Sequence, residues 1–261
     1  VERDICQRMK KGTSSATKST LSFWIKSPKT GTHIVRCYDN VNDRDVGTTY
    51  TVSSANTWEH KVVTFPADTT GAISNGTTYG MQVYWLLVSG SNTQTSALGT
   101  TWATYSGGAE GQGGQNLLDS TDNNIYFTGM QWEVGDEATE FEHRSVAEET
   151  TLCQRYYFKF LEGTQKEVGA AWYYTGSHAS FFFRFPTTMR AVPTGTDTTG
   201  TDYYTIYRNG GADGINSVAF ENGSTEQYSA YNSSQASGTA GQCGLLRSTN
   251  ASAKIEFSAE L

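Results

Sequence analysis

The sequence predicts an all-β protein built from two β-sandwich domains, residues 1–147 and 148–261, with very little helix. Aromatic residues make up 13% of the 261 residues and charged residues only 17%, and 27 glycines are mixed with many Ser, Thr and Asn residues. Large flat side chains suit sheets, and small polar residues suit the turns between short strands. The length exceeds that of most single domains, which favours two domains over one.

A β-hairpin is predicted near the start of the first domain. The segment TLSFWIK, which begins at Thr20, has the apolar and aromatic character of a strand. A Pro-Lys-Thr-Gly turn follows, and the next segment alternates around Ile34, Arg36 and Tyr38 as a second strand would. The Asn/Asp-rich segment 39–45 is then expected to be a loop.

Three more strands are predicted in the first domain. TWEHKVVTF should place its even-numbered residues 58–64 on one face and its odd-numbered residues 61–65 on the other. The segment YGMQVYWLLV, residues 79–88, is nearly all apolar toward its end, which is typical of a strand in the middle of a sandwich. NIYFTGMQWEV, residues 124–134, is expected to alternate regularly between odd-numbered and even-numbered positions.

Residues 91–120 are rich in Gly, Thr and Ser and predict a long loop. Trp102 and Tyr105 are large rings in a segment that offers little else to pack against. Two interpretations are open for them. Either they fold back on the edge of the sandwich, or they are exposed and stack on a ligand.

The charged segment EATEFEHRSVAEET separates the two halves of the chain and is the one place where a short helix is expected. Phe141 is its one large apolar residue, so we expect Phe141 to be buried at the junction of the domains. Short strands at near-regular spacing follow and predict a second sandwich: CQRYYFKF, AAWYY, ASFFFRF, DYYTIY, SVAFEN, EQYSAY, GLL and AKIEFSAEL.

The composition argues against several classes of function. A formal net charge of −7 without a basic stripe disfavours nucleic acid as a partner. No apolar run approaches the roughly 20 residues that span a bilayer, so no membrane insertion is expected. Four widely separated cysteines lack the spacing of zinc ligands, and buried unpaired thiols are expected. The missing initiator Met is typical of a piece of a longer chain.

Motifs for catalysis or metal binding are weak. There is no GxSxG elbow and no HExxH pattern, and the four histidines are expected to be packing or surface residues. The loop DNVNDRDVG lacks the ligand order of an EF-hand, so neither a metal nor another cofactor is expected. A glycosidase would need two carboxylates across a cleft. The acidic residues near the boundary instead predict a salt-bridge network at the domain junction, which comprises Glu133, Glu140, Glu142, Glu148 and Glu149 with Arg144 and Arg155.

The segment FTGMQWEVGDEATEFEHRSVAEETTLCQRYY, residues 127–157, resembles a block of tail-fibre and other virion structural proteins of bacteriophages. The shared pattern is a strand, QxEvG, Ala-Thr, Phe-Glu, Arg, a Glu pair and CQRYY. The residues that carry it here are Gln131, Glu133, Val134, Gly135, Ala138, Thr139, Phe141, Glu142, Arg144, Glu148, Glu149, Cys153, Gln154, Arg155, Tyr156 and Tyr157. Trp132 stands where Leu is common in this block, and Glu140 stands where Pro is common.

Other segments extend the resemblance over nearly the whole chain. LSFWIKSPKTGTHIV and NTWEHKVVTF look like strands of the jelly-roll module that precedes the block, and MRAVPT and AKIEFSAEL look like parts of the module that follows it. The resemblance implies a jelly-roll domain similar to carbohydrate-binding modules over 1–147 and a C-terminal β-sandwich module over 148–261. It also implies a virion location and a homotrimer that contacts other virion proteins.

Three functions are therefore compared. The first is a non-enzymatic tail-fibre or receptor-binding protein that contacts a host-surface glycan, and the second is a structural decoration or connector protein without a ligand. The third is a polysaccharide depolymerase. Aromatic residues in polar loops are the candidate glycan contacts, and they are Trp102, Tyr105, Tyr228 and Tyr231.

Overall fold

The computed structural model describes residues 1–260, so Leu261, the last residue of the predicted second domain, lies outside the described residues. The chain divides into two compact units, residues 1–143 and 144–260. With 8% helix and 42% strand, the predicted all-β fold class is confirmed.

The first unit, here called unit 1, contains one short helix and seven strands. Their bounds are α1 Arg3–Cys6, β1 Ser19–Lys26, β2 Gly31–Asp39, β3 Arg44–Val52, β4 Trp58–Phe65, β5 Met81–Leu86, β6 Ala103–Thr104 and β7 Tyr126–Val134. They form two antiparallel sheets. Sheet A has the strand order β4-β1-β7, and sheet B has the order β5-β2-β3-β6.

Rings from both sheets meet in the core of unit 1. Phe23 of sheet A is fully buried and meets Tyr50 and Trp85 of sheet B edge-on, at centroid distances of 5.2 and 5.4 Å. Edge-to-face contacts of this kind are favourable for aromatic rings. Two sheets that share one core form a β-sandwich.

The predicted hairpin between the first two strands is wrong. β1 pairs with β4 and β7, whereas β2 pairs with β3 and β5 in the other sheet. Both strands bury a row of apolar side chains, and the segment 27–30 crosses from one sheet to the other so that the two rows face each other across the core. β2 instead pairs with the strand that follows it, β3. The sequence pattern predicted a loop over residues 39–45 and no strand at 44–52.

The alternation predicted for β7 is also interrupted. Phe127 lies opposite Ile25 and Trp132 opposite Leu21, and both rings pack on the core although one position is odd and the other even. A β-bulge causes this change of phase, with Gly129 in the left-handed region at φ 57°. One extra residue in a strand reverses the faces of all that follow.

Strands β4 and β5 of unit 1 were also predicted from the sequence. The alternation in β4 is confirmed, because Val63 and Phe65 are buried while Trp58 and Val62 are exposed. β5 lies at the edge of sheet B. Its apolar side chains pack on both sides of the sheet, since Val83 and Trp85 pack on the core of unit 1 and Leu86 lies beside Gly111 of the long loop.

The second unit, here called unit 2, contains one helix and ten strands. Their bounds are α2 Val146–Gln154, β8 Tyr157–Glu162, β9 Glu167–Thr175, β10 His178–Arg184, β11 Thr194–Asp197, β12 Tyr204–Arg208, β13 Gly211–Ile215, β14 Ala219–Glu221, β15 Gln227–Asn232, β16 Cys243–Ser248 and β17 Lys254–Ser258. Sheet C has the order β13-β12-β16-β9-β10-β15-β14, and sheet D has the order β11-β17-β8.

Phenylalanine rings hold the two sheets of unit 2 together. Phe183 of sheet C is fully buried and lies 4.9 Å from Phe160 and 5.3 Å from Phe257, which are both in sheet D. Phe220 completes the cluster at 5.9 Å. The predicted second β-sandwich is confirmed by this shared aromatic core.

The charged segment forms α2 where a short helix was expected. Ser145 caps the helix, since its hydroxyl accepts from the Glu148 backbone and the Glu148 carboxylate accepts from the Ser145 backbone. The expected burial of Phe141 is wrong, because the ring is 43% exposed. Phe141 belongs to no strand and lies over Gly129 of β7, with its ring edge-on to His143 at 5.0 Å. It therefore covers a sheet surface and does not enter a core.

We predict that Phe183→Ala lowers the free energy of unfolding of unit 2 by about 3 to 5 kcal/mol, because it removes the ring that both sheets share. The neighbouring Phe182 is 49% exposed and gives a matched control. Phe182→Ala should cost less than half as much in urea unfolding monitored by tryptophan fluorescence. Equal losses for the two variants would contradict the assignment of the core.

Candidate functional site

The outer face of sheet B carries a group of polar and aromatic side chains. Arg36 lies opposite Tyr84, and Tyr38 lies opposite Gln82, in the pairing of β2 with β5. Residues two apart on a strand share a face. The two strands therefore place these four side chains side by side.

Arg36 is fully buried beneath this face, and its guanidinium has four polar partners. Its guanidinium forms an ion pair with Asp45 of β3 and donates to the Tyr84 hydroxyl at 3.1 Å. It also donates to the main-chain carbonyls of Ala109 and Glu110 at 2.9 and 3.0 Å. A buried charge needs such partners, and the result is a fixed attachment of the long loop to the sheet.

Glycines allow the loop to approach the sheet closely. A Cβ at Gly47 would lie 2.7 Å from Leu98 of the loop, and the Gly47 amide donates to the Gly99 carbonyl at 2.6 Å. A Cβ at Gly111 would lie 2.0 Å from the Ser89 hydroxyl oxygen. Such contacts are closer than a side chain tolerates. The glycine content that predicted a loop thus also lets it fold back on sheet B.

A shallow cleft of about 370 Å³ lies between the loop and the sheet. We call it the tyrosine cleft, and its lining residues are Tyr38, Gln82, Tyr84, Tyr105 and Glu110. The rings of Tyr38 and Tyr105 meet edge-on, with centroids 5.7 Å apart. Aromatic faces beside a few polar groups are the usual composition of a small-molecule site.

Two tyrosine hydroxyls at the cleft donate to carboxylates. Tyr105 donates to Glu110 at 2.7 Å, and this hydrogen bond raises the pKa of Tyr105 to about 12. Tyr38 donates to Asp43 at 2.9 Å, which raises the pKa of Tyr38. Burial raises the pKa of Tyr84. All three phenols are therefore protonated at neutral pH.

Trp102 and Tyr105, the two candidate ligand contacts in the long loop, lie in different surroundings. Tyr105 is 39% exposed and lines the tyrosine cleft, where its ring is accessible to a ligand. Trp102 does not line it, so its assignment as an exposed ligand contact is wrong. Its indole nitrogen donates to the Pro66 carbonyl at 2.8 Å, the Lys11 ammonium lies 4.7 Å from its ring centroid, and the ring packs on the core of unit 1.

The candidates in unit 2 are both half-buried. Tyr228 packs against Phe220 and Phe257 at centroid distances of 5.8 and 5.7 Å, beside the aromatic core of unit 2, and its role as a ligand contact stays a prediction. Tyr231 stacks on His178, with centroids 4.8 Å apart and planes 10° apart. Its ring face is therefore already covered by the imidazole on one side.

Sequence reasoning missed Tyr38, Gln82, Tyr84 and Glu110 as site residues. A signal was present, because the sequence alternates apolar residues with Arg36 and Tyr38 on β2, as it does with Gln82 and Tyr84 on β5. The two polar rows become one surface only if β2 pairs with β5. The predicted hairpin with β1 concealed that pairing.

The predicted junction residues make local contacts. Glu133 accepts hydrogen bonds from the main chain and the hydroxyl of Thr139, at 3.0 and 2.5 Å, and Gln131 accepts from the main chain of Glu142 at 2.8 Å. These contacts hold the segment after β7 against that strand. In unit 2 the predicted junction residues also contact residues close to them in the sequence. Glu148 caps α2, the Arg144 guanidinium lies 3.6 Å from the Glu149 carboxylate, and Arg155 lies over the Tyr156 ring.

Each histidine lies beside an aromatic ring. His60 neighbours Trp24, His33 stacks on Tyr50, His143 meets Phe141 and His178 stacks on Tyr231. Within residues 1–260, no group of three or more His, Cys, Asp or Glu side chains converges as metal ligands would. The four cysteines are unpaired; Cys6 and Cys37 are buried as expected, but Cys153 and Cys243 are exposed.

The sequence matches no protein-family model, no curated protein and no solved structure at a significant level. In the described part of the chain, no helix combines the length and the apolar character that crossing a membrane requires.

We predict that Arg36→Met destabilises unit 1 by about 3 to 5 kcal/mol, because it leaves the Asp45 carboxylate buried without its cation. The amides of residues 109–111 should then exchange hydrogen faster, since the loop loses its attachment. Adding Asp45→Asn removes the unpaired charge and should recover part of the stability, while fast exchange in the loop persists. Unchanged exchange in Arg36→Met would contradict the role of Arg36.

Proposed function

We propose that this chain is a non-enzymatic bacteriophage virion protein, a tail-fibre or receptor-binding component that contacts a host-surface glycan through the tyrosine cleft. The observation that carries the proposal is the cleft itself, in which three tyrosines, an amide and a carboxylate surround an open depression on a rigid sheet. Such a surface suits a sugar, which has an apolar ring face and a rim of hydroxyls.

The cleft offers the hydrogen-bonding groups that a sugar needs. Gln82 presents an amide with both donors and an acceptor, and Glu110 presents carboxylate oxygens. The Tyr84 hydroxyl accepts from Arg36 and keeps its own proton for a ligand. Because Arg36 holds the Tyr84 hydroxyl and the loop main chain, and Tyr105 holds the Glu110 carboxylate, these groups lose little conformational entropy when a ligand binds.

The virion assignment is supported by the resemblance over residues 127–157. Several residues of that block have local roles here: Gln131 and Glu133 hold the chain that leaves β7, and Glu148 caps the helix that begins unit 2. Local roles of this kind are expected of a tail-fibre protein and equally of a decoration or connector protein, which remains the alternative function.

Binding is favoured over depolymerase activity by the state of the carboxylates at the cleft. Glu110 and Asp43 each accept a hydrogen bond from a tyrosine hydroxyl that stays protonated at neutral pH. A glycosidase needs one carboxyl group as proton donor and another facing the anomeric carbon. Release of reducing ends from host polysaccharide would support the depolymerase alternative.

We predict that Tyr105→Ala weakens binding to host-surface polysaccharide by about tenfold, because the loss of one stacking ring is worth roughly 1 to 2 kcal/mol. The measurement is biolayer interferometry on immobilised polysaccharide, together with adsorption to host cells. The thermal midpoint should change little, since Tyr105 lies outside the core.

Tyr174→Ala is the matched control, because Tyr174 is 73% exposed and lies in unit 2. It should leave binding unchanged. Trp102→Ala should instead lower stability, as expected for a ring that packs on the core. Equal binding by the wild type and Tyr105→Ala would remove the tyrosine cleft as the glycan site.

The proposal includes a homotrimer, and its number comes from the resemblance. An exposed apolar surface supports an oligomer. On the outer face of sheet A, unit 1 exposes four large apolar side chains: Trp24, Trp58, Val62 and Tyr126. Contiguous exposed apolar side chains are typical of surfaces that oligomers bury. Repetition of a weak glycan site in a closed assembly also raises the overall avidity.

We predict that light scattering gives a mass about three times the 28.5 kDa of one chain, at protein concentrations from about 1 to about 50 µM. A monomer mass throughout this range would contradict the oligomer. The glycan site would survive that result, because the lining residues of the cleft all belong to one chain.

A further inference from the structure

We infer that the tyrosine cleft accepts uncharged saccharides and discriminates against acidic ones, such as chains of uronic acids. This inference rests on the proposed function, since it specifies the class of glycan that the same cleft takes. It comes from the charges and the hydrogen-bond directions around the cleft.

Negative charge surrounds the place where a sugar would lie. Glu110 is a lining residue, and its carboxylate accepts from Tyr105 at 2.7 Å. Asp43 lies beside Tyr38 and accepts from its hydroxyl at 2.9 Å. A ligand carboxylate in the cleft would therefore be repelled by Glu110, which lines the cleft, and by Asp43, which is exposed next to the lining residue Tyr38.

The nearby positive charge is not available to a ligand. Arg36 is the cation beneath the cleft, but it is fully buried, and Asp45 neutralises it. Its remaining donors point to Tyr84 and to the two loop carbonyls. Among the lining residues that the structure describes, none is Lys, Arg or His.

The hydroxyl protons favour a neutral ligand for the same reason. Tyr38 and Tyr105 already donate their hydroxyl hydrogens to carboxylates in hydrogen bonds, so they present oxygen lone pairs to the cleft. A sugar hydroxyl can donate to these oxygens or to Glu110, and it can accept from Gln82 or Tyr84. A carboxylate has acceptors only, and it would leave most of these groups without a partner.

The test uses matched hexasaccharide probes that differ only at C6, which is a hydroxymethyl group in one member and a carboxylate in the other: glucose against glucuronic acid, mannose against mannuronic acid, and galactose against galacturonic acid. Binding to the wild type is measured by calorimetry at low salt. In each pair that binds, the neutral probe should bind about fivefold tighter or more, as expected for like charges a few ångströms apart. The difference should shrink between about 10 mM and about 300 mM salt, because salt screens exposed charges.

The double variant Glu110→Gln with Asp43→Asn removes both charges and keeps acceptors for both tyrosine hydroxyls. It should reduce the preference for the neutral probe over the acidic probe of each pair about fivefold relative to the wild type. The control is Asp122→Asn with Glu137→Gln, which changes the net charge equally at exposed residues outside the cleft. This control should keep the wild-type preference.

Three results would overturn the inference. Acidic probes that bind as tightly as neutral ones, or a preference that neither salt nor the double variant changes, would refute the charge discrimination while the glycan site stands. The salt series needs only the wild type, so it decides the matter even if the double variant fails to fold. No binding by any probe, with Tyr105→Ala equal to the wild type on host polysaccharide, would remove the proposed function together with the inference.

Discussion

The buried guanidinium of Arg36 is the interaction on which the candidate site depends. A charge with no exposed surface must be neutralised and hydrogen-bonded, and the partners come from three separate parts of unit 1: Asp45 on β3, Tyr84 on β5, and the carbonyls of the long loop. One side chain thereby fixes the loop on sheet B. The tyrosine cleft is the space that this attachment leaves between them.

Buried ion pairs also attach other irregular segments to the sheets. In unit 1, the buried Lys11 ammonium lies 2.5 Å from Asp39 and 2.6 Å from Asp68, and Asp68 also pairs with Arg44. In unit 2, Asp213 accepts from Arg208, from the Tyr173 hydroxyl and from the Ser237 main chain. A chain with long polar loops and few regular elements to cover its sheets gains order from such pairs. Their specific geometry, more than their net stability, is what fixes the loops.

Local sequence pattern was enough for the fold class and for single strands, but not for their partners. The alternation of β4 and the position of the long loop follow from composition and period, which act within a few residues. The separation of β1 and β2 into different sheets depends on which apolar rows face each other across the core. The bulge at Gly129 reverses the phase of β7, and an expectation of unbroken alternation over residues 125–134 could not place Phe127 and Trp132 on the same face. Tyr105 could be predicted because it stands in an exposed loop, whereas Tyr38 and Tyr84 become a site only through the pairing of β2 with β5.

The cleft, the loop attachment and the charge pattern are the features on which the proposed glycan contact rests. The most direct test is a crystal structure of the protein soaked with oligosaccharides prepared from the surface polysaccharide of a susceptible host. The account predicts a sugar ring against Tyr38 and Tyr105, with its hydroxyls bonded to Gln82 and Glu110 and with Arg36 unmoved. A sugar bound elsewhere on the chain, with the tyrosine cleft unoccupied, would contradict it.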